Sequence, residues 1–367
     1  MPNSKRLQYF DILKGMAIFM VVMGHVLTMC VRNIDSATIF KFIGQIHMPL
    51  FFFISGWFTF KLLDNGKVRI PNLRQRAIQL LVPMVVMSTL WFFYYPNSGL
   101  QSPMDSTFNG MWTNLWKNGY WFTLVLFEII LIYSAIAPVF GRMKTLGSQL
   151  VLTAAVWCLL GVLQFCILPQ TVVDYMSSYL VVKFFPVFMT GAIAARNRET
   201  FNRMTASGPV LTTALVAGSF LLYFSCWWWN FSLKEGTLLE ILLMIAGALF
   251  HGCLAIVAIG VVKPWSENIY AEPVRCPSMV SGQFWGNIWQ LLGRKSLAIY
   301  LLHYFFLFPL GFCRETIISM NLGFVPLFVF SAAIAAAIVA VVLFVDTIIS
   351  ASPALALLMT GTVKKKK

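Results

Sequence analysis

The sequence predicts an all-α protein: a polytopic integral membrane helical bundle of about ten transmembrane helices. Composition is the first observation, since hydrophobic residues make up 59% of the 367 residues and charged residues only 11%. A water-soluble domain carries roughly 25% charged residues. Continuity is the second observation, because the apolar residues form runs close to or above the roughly 20 residues that cross a bilayer core. Too few polar residues remain to cover a water-soluble core.

Ten apolar segments predict the individual helices, with bounds that hold to within a few residues. They cover about residues 11–31, 39–60, 78–95, 119–140, 148–168, 177–195, 209–229, 238–262, 293–312 and 324–348. No soluble domain, low-complexity linker or obvious internal repeat interrupts the series. We therefore predict one transmembrane domain over residues 1–352, followed by a short basic tail over residues 353–367.

The first apolar segment could be taken for a secretory signal peptide, because Lys5 and Arg6 precede it. It contains three ionisable side chains, Asp11, Lys14 and His25, and no small-residue cleavage site follows it. We interpret it as a retained first transmembrane helix.

The distribution of Lys and Arg residues predicts the orientation. An even number of spans places both termini on one side of the membrane, and most of the 27 Lys and Arg residues fall in segments on that side. Cytoplasmic segments carry such an excess, so we expect both termini in the cytoplasm. The net charge of +14 is then explained by topology and by anionic ligands, with no nucleic acid as partner.

The sequence predicts no metal site. The seven cysteines lie mostly inside apolar runs and show neither a CxxC pair nor a zinc spacing. An HExxH motif is also missing, which argues against an intramembrane metalloprotease.

Lys14 and His25 are candidate functional residues, because an ionisable side chain inside a span is costly. They lie eleven residues apart, about three helical turns and roughly 16 Å of rise, which places them on one helix face. A cation near the cytoplasmic end with an imidazole deeper in the membrane suits an elongated anionic ligand. Alternatively, Lys14 extends to the interface, and Asp11 only neutralises it.

Two further polar side chains are expected at the depth of His25, counted from the outer boundary. They are His47 in the second span and Glu128 in the fourth. Three polar groups at one level predict a cavity that opens toward the outer leaflet. The alternative is that each is a packing residue that forms a hydrogen bond between helices. For His251 and His303, this alternative and a functional role are both open.

Other polar and aromatic groups also have ordinary explanations. Arg69, Arg74 and Arg76 lie between the second and third spans and could serve topology alone. The segment from Tyr120 to Phe122 is typical of the aromatic belt at the membrane interface. The four terminal lysines are typical of a solvated cytoplasmic end.

Several motifs in order resemble the acyltransferase-3 family of polytopic membrane O-acyltransferases. The opening motif is a basic residue, Lys14, followed after ten residues by His25; the family more often has Arg at the basic position. The other motifs are His47–Gly56, Arg74 and Arg76 with Pro83, Tyr120–Phe122, Phe185–Gly191 and Gly293–His303. Together they cover almost the whole chain. We expect this sequence to lack the extracytoplasmic esterase-like domain that some members carry.

The resemblance implies acyl-CoA, often acetyl-CoA, as the donor substrate, with no bound cofactor. It implies a hydroxyl of a cell-envelope or exported carbohydrate or glycolipid as the acceptor, and a multi-pass protein of the bacterial inner membrane. Under this hypothesis His25 is the general base, which must be neutral to remove a hydroxyl proton. Glu128 or His47 orients it or binds the acceptor, while Lys14, Arg69, Arg74 and Arg76 hold the CoA phosphates.

Two alternatives remain open. One is another class of histidine-dependent membrane acyltransferase, with a lipid or protein acceptor. The other is a transporter or flippase of acylated sugars, which ten spans and buried charges also fit. No GxSxG motif and no paired Cys–His nucleophile is evident, so direct transfer is favoured over an acyl-enzyme.

Overall fold

A computed structural model describes residues 7–31, 34–98, 100, 119–228, 238–271, 277–310 and 323–362. Within these ranges the chain forms α-helices and no strand. The first half contains α1 (Gln8–His25), α2 (Ile34–Thr59), α3 (Leu73–Tyr94), α4 (Trp121–Arg142), α5 (Leu146–Val162), α6 (Gln170–Met176) and α7 (Ser178–Arg196). The second half contains α8 (Arg198–Ala206), α9 (Gly208–Trp228), α10 (Leu238–Ile269), α11 (Gly282–Arg294), α12 (Ser296–Leu302), α13 (Phe324–Ile349) and α14 (Pro353–Thr360).

The predicted all-α membrane bundle is confirmed. Among the described residues, eight helical segments are long and apolar enough to cross a bilayer. The predicted span over 209–229 is α9, which meets α8 at a bend of 83°. The predicted span over 293–312 is shorter than expected. It forms the apolar helix Ser296–Phe306, which at 1.5 Å per residue covers about half of a hydrocarbon core roughly 30 Å thick.

Helix α1 is the centre of the bundle. It contacts α2, α10, α11, α12 and α13, and buried residues lie on every side of it. A helix that is apolar all round is expected to be enclosed by others. Lys14 and His25 therefore project from a helix that other helices surround, which removes them from bulk lipid.

The crossing of α1 and α11 depends on two glycines. A Cβ atom on Gly15 would collide with the backbone carbonyl of Trp289, and one on Gly293 would collide with the carbonyl of Asp11. Small residues let membrane helices approach this closely. The glycines fix the position of the turn of α1 that carries Lys14.

The crossing of α2 and α7 is built in the same way. A Cβ atom on Gly56 would collide with the carbonyl of Phe188, and one on Gly191 with the carbonyl of Phe53. This pair of helices positions His47 relative to the residues of α7.

We expect Gly191→Ala to lower the thermal stability of the protein, because the added methyl group overlaps backbone atoms that cannot move independently. Overpacking of this kind typically costs about 1–3 kcal/mol. Gly247→Ala in α10 is the matched control, since nothing lies within 4 Å of its added Cβ, and the change should be neutral or stabilising by about 0.5–1 kcal/mol. Thermal unfolding of the two detergent-solubilised variants measures the difference; equal midpoints would show that the crossing is not close.

The segment between α2 and α3 forms a short hairpin at the end of the bundle where α1 begins, which we call the basic end. The Arg69 backbone N–H donates to the Lys61 carbonyl at 2.8 Å. Gly66 turns the chain with a φ of 75°, a backbone conformation that favours glycine. The backbone pairing in this hairpin sets the direction of its basic side chains relative to the bundle.

The predicted tail begins as a helix. Helix α14 packs against α3 and α12, and Gly361 follows it against the carbonyl of Gln79. The basic residues Lys364 to Lys367 lie outside the described residues, so the domain boundary at residue 352 stays a prediction.

Candidate active site

His25 lies at the end of α1, where the α-helix gives way to a π-helical turn over Val26–Val31. Such turns frequently occur at functional sites because they redirect side chains away from the regular helical face. The His25 side chain is half-buried. Its position at a break in the central helix places it at the end of the bundle opposite the basic end, which we call the far end.

Tyr304 fixes the orientation of His25. Its hydroxyl lies 2.9 Å from His25 Nε2 and also 2.9 Å from the carbonyl oxygen of Gly119. The carbonyl can only accept, so the single hydroxyl proton is donated to Gly119, and the tyrosine oxygen accepts from Nε2–H of neutral His25. This leaves the basic lone pair on Nδ1, which makes no hydrogen bond to the described residues.

A tyrosine cluster connects the start of α4 to α12. The Tyr120 hydroxyl donates to the carbonyl of Leu301 at 2.9 Å. The Tyr300 hydroxyl donates to the carbonyl of Gly119 at 3.1 Å and accepts from the Phe122 N–H at 3.2 Å. Tyr120 is fully buried, so it does not belong to an interfacial belt. Its hydrogen bonds tie down the chain segment that holds Tyr304.

His303 packs beside the candidate base. Its ring centroid lies 5.1 Å from that of His25, and its Nδ1 donates to the backbone carbonyls of Ile299 and Tyr300 at 3.0 and 2.8 Å. The side chain is fully buried. These contacts fit a role in positioning His25 through packing.

An outer cavity of about 220 Å³ adjoins His25 at the far end. His47 of α2 and Lys183 of α7 also line it, together with Trp121 and Tyr300. His47 is buried, and its Nδ1 donates to the carbonyl of Ile43 at 2.6 Å. The structure therefore places both predicted histidines at one cavity, contributed by different helices.

Glu128 is not among the described residues that line this cavity. It lies on α4, half-buried, two turns beyond Trp121. Of the three polar groups predicted to share one cavity, His25 and His47 do so. The role of Glu128 stays a prediction.

A middle cavity of about 170 Å³ adjoins the outer cavity along α1. Val21, Met48 and Tyr300 line both. Lys14, Ile18 and Val21 face the middle cavity and His25 the outer one. Steps of three and four residues keep a single helix face, so Lys14 and His25 belong to the same face of α1.

A basic cavity of about 1100 Å³ opens at the basic end and shares Lys14 with the middle cavity. Lys14 forms an ion pair with Asp11, with 2.8 Å between Nζ and the carboxylate oxygen. Lys61 and Arg198 also line this cavity. Three cavities that share lining residues therefore follow one another along α1, with cations at both ends and imidazoles only in the lining of the outer cavity.

The three arginines predicted to bind the donor lie outside these linings. Arg69 and Arg74 are exposed and Arg76 is half-buried, and their role stays a prediction. The residues that sequence reasoning missed are Lys61, Arg198 and Tyr304. Lys61 and Arg198 are cations adjacent to the ends of predicted spans, but only the folded backbone shows which of many such cations face a cavity.

No group of His, Cys, Asp or Glu in the described part of the chain could hold a metal ion. The side chains that line the cavities can transfer a proton through an imidazole and pair with anions through cations, and the buried tyrosines can position them.

The comparisons with known proteins point to one family. A family model described as an acyltransferase domain matches residues 7–345. A nodulation protein NolL of Sinorhizobium fredii is 40% identical over 86 residues, covering 22% of this chain and 23% of the relative. A nodulation protein NolL of Mesorhizobium japonicum is 37% identical over 89 residues, covering 22% of each. The chain thus spans less than a quarter of either relative, and no solved structure matches.

Proposed function

The chain belongs to the acyltransferase-domain family, and we propose that it moves an acyl group, such as acetyl, from acyl-CoA to a hydroxyl of a cell-envelope or exported carbohydrate. The observation that supports this proposal best is the series of three cavities from Lys14 to His25. A two-substrate reaction across a membrane needs two entrances to one reacting centre, and the series provides an entrance at each end.

The donor enters at the basic end, which we propose faces the cytoplasm because most Lys and Arg residues lie there. Lys14, Lys61 and Arg198 pair with the CoA phosphates in the basic cavity. Arg69, Arg74 and Arg76 attract the same phosphates from the adjacent surface. The pantetheine arm then extends along the face of α1, and the rise of roughly 16 Å between Lys14 and His25 matches an extended chain.

The acceptor enters at the far end. His25 Nδ1 removes the proton of the acceptor hydroxyl, and the oxygen attacks the thioester carbonyl. The tetrahedral intermediate collapses by breaking the carbon–sulfur bond, which releases the ester and the CoA thiolate. The thiolate then takes the proton from the His25 imidazolium, which returns to its neutral form. Tyr304 keeps the imidazole in the tautomer that this sequence of steps requires.

Inside-out membrane vesicles test the proposal, because their outer surface is the cytoplasmic face. Labelled acetyl-CoA supplied to vesicles that contain the protein should place the label on a carbohydrate. Vesicles from cells that lack the gene should not. A transporter would instead move acylated sugars without consuming acetyl-CoA, and that result would contradict the proposal.

We expect Lys14→Ala to raise the KM for acetyl-CoA more than the KM for the acceptor in the same assay. Loss of a charge-assisted interaction of about 1.5–3 kcal/mol corresponds to roughly a tenfold or larger increase. Lys14→Arg should retain most activity because it keeps the cation. Lys67→Ala is the matched control, since this exposed lysine lines none of the three cavities. A donor KM that is the same in Lys14→Ala and Lys67→Ala would assign Lys14 to topology alone.

A further inference from the structure

Two serine hydroxyls face the otherwise largely apolar middle cavity. Ser55 of α2 and Ser296 of α12 both line it. We propose that these hydroxyls bind the pantoyl end of the pantetheine arm, through its hydroxyl and the amide group farther from the sulfur. This inference rests on the proposed function and names residues that select a pantetheine thioester as the donor.

Both hydroxyls are available to a ligand. Serine and threonine side chains in helices often donate to the carbonyl four residues earlier, as those of Thr59 and Ser331 do at 2.6 and 2.8 Å. The hydroxyls of Ser55 and Ser296 make no hydrogen bond to the described residues. Because an apolar wall cannot satisfy a hydroxyl, polar groups on a ligand that fills the cavity would be its natural partners.

The two serines lie at a similar level, on the basic-end side of the candidate base. Ser55 follows His47 by eight residues on α2, and eight residues of helix rise by about 12 Å. Ser296 precedes Tyr304 by the same number of residues. His47 lines the outer cavity and Tyr304 contacts His25. The hydroxyls therefore lie roughly 12 Å from the level at which the acyl group would react.

The pantetheine arm carries polar groups at a comparable distance from its thioester. The nitrogen of the farther amide lies seven covalent bonds from the sulfur, and the carbon that bears the pantoyl hydroxyl lies nine. An extended chain covers about 1.2 Å per bond, so these groups are roughly 8–11 Å from the sulfur. The nearer amide is only three bonds away, roughly 4 Å, and would remain in the outer cavity.

Other residues of the middle cavity suit the rest of the pantoyl end. Ile18, Phe51 and Leu126 are apolar side chains in its lining, and they can contact the two methyl groups of the pantoyl unit. Lys14 lies where the middle and basic cavities meet. A cation at that junction can pair with the phosphate that follows the pantoyl unit in CoA. The cavity thus offers a partner for each part of this end of the donor.

Three donors of different length test the inference on detergent-solubilised protein. They are acetyl-CoA, S-acetyl-pantetheine, which lacks the phosphates, and S-acetyl-N-acetylcysteamine, which ends after the nearer amide. Ser55→Ala and Ser296→Ala should each raise the KM for the first two donors about two- to tenfold, the effect of one lost hydrogen bond. The KM for the shortest donor should not rise, because that donor has no group that reaches the serines. Lys14→Ala should affect acetyl-CoA alone.

Ser331→Ala is the matched control. It removes a fully buried hydroxyl from a membrane span, but that hydroxyl donates to the Leu327 carbonyl of its own helix at 2.8 Å. Ser331 is not among the described residues that line the three cavities, so all three donor KM values should stay at the wild-type level.

Two results would overturn the inference. One is a KM for S-acetyl-pantetheine that is the same in Ser55→Ala, Ser296→Ala and Ser331→Ala. The other is an equal rise in KM for the shortest donor, because the serines would then act on the acyl end or on the fold. Absence of transfer from acetyl-CoA by the wild-type protein would instead refute the proposed function.

Discussion

Replacing His25 with alanine should abolish acyl transfer while the protein still inserts into the membrane. The imidazole lines the outer cavity and carries its free lone pair on Nδ1, because Tyr304 accepts from Nε2. A positioned general base contributes typically about 10²–10⁴-fold to the rate. Label incorporation from acetyl-CoA, normalised to the amount of inserted protein, measures the loss.

A milder variant, Tyr304→Phe, distinguishes the contribution of the base from that of the residue that orients it. Tyr304→Phe keeps the ring packing against His25 and removes the two hydrogen bonds of the hydroxyl, of which only the one to His25 orients the base. That hydrogen bond is worth about 0.5–1.5 kcal/mol. We therefore expect a rate reduction of only about two- to tenfold. The acetyl-CoA KM should not change in Tyr304→Phe. Near-normal transfer by a well-expressed His25→Ala variant would remove His25 from the role of base.

Helical periodicity was sufficient to place Lys14 and His25 on one face, since both lie on the single uninterrupted helix α1. The pairing of His25 with Tyr304 was not predictable in the same way. The two residues are separated by 279 positions, so their contact depends on how distant helices dock. It also depends on the 3₁₀ turn over His303–Phe306, which falls where the apolar pattern predicted a continuous span.

The basic end shows a second limit of sequence reasoning. Arg74 and Arg76 belong to the motifs that resemble the family and lie at the start of α3, whereas Arg69 lies in the loop before it. The direction of a loop side chain depends on local backbone pairing. The hairpin that joins the backbones of Lys61 and Arg69 leaves Lys61 lining the basic cavity and Arg69 exposed. Sequence position alone could not distinguish the two.

The orientation of the protein in the membrane remains a prediction from charge. A single cysteine at Asn72, which caps α3 at the basic end, should be blocked only by reagents that reach the cytoplasm. Ser106, between the third and fourth predicted spans, is the matching position for the opposite side, and it lies outside the described residues. Labelling at Asn72 by an impermeant reagent added outside intact cells would show that the orientation is opposite to the prediction. The proposed direction of donor entry would then be wrong as well.

Closing the proposed passage between the middle and outer cavities should stop acyl transfer from acetyl-CoA as completely as removing His25. Val21 is the residue to change, because it is buried and lines both cavities on the face of α1 between Lys14 and His25. The indole of Val21→Trp would occupy the space through which the pantetheine arm must extend. We expect at least about a hundredfold loss, since the reacting carbonyl can no longer approach within the roughly 3–3.5 Å that attack requires. Binding of acetyl-CoA at the basic cavity should persist.

Two comparisons make the blocked passage distinguishable from a damaged site. Val21→Ala removes volume at the same position and should leave transfer near the wild-type level. The thioester S-acetyl-N-acetylcysteamine, which has no nucleotide, can approach His25 from the far end without crossing the block. It should therefore restore acylation in Val21→Trp but not in His25→Ala, because only the first variant keeps its base. If the short thioester fails equally with both variants, the outer cavity is not the place where acyl group and acceptor meet, and the donor path along α1 is wrong.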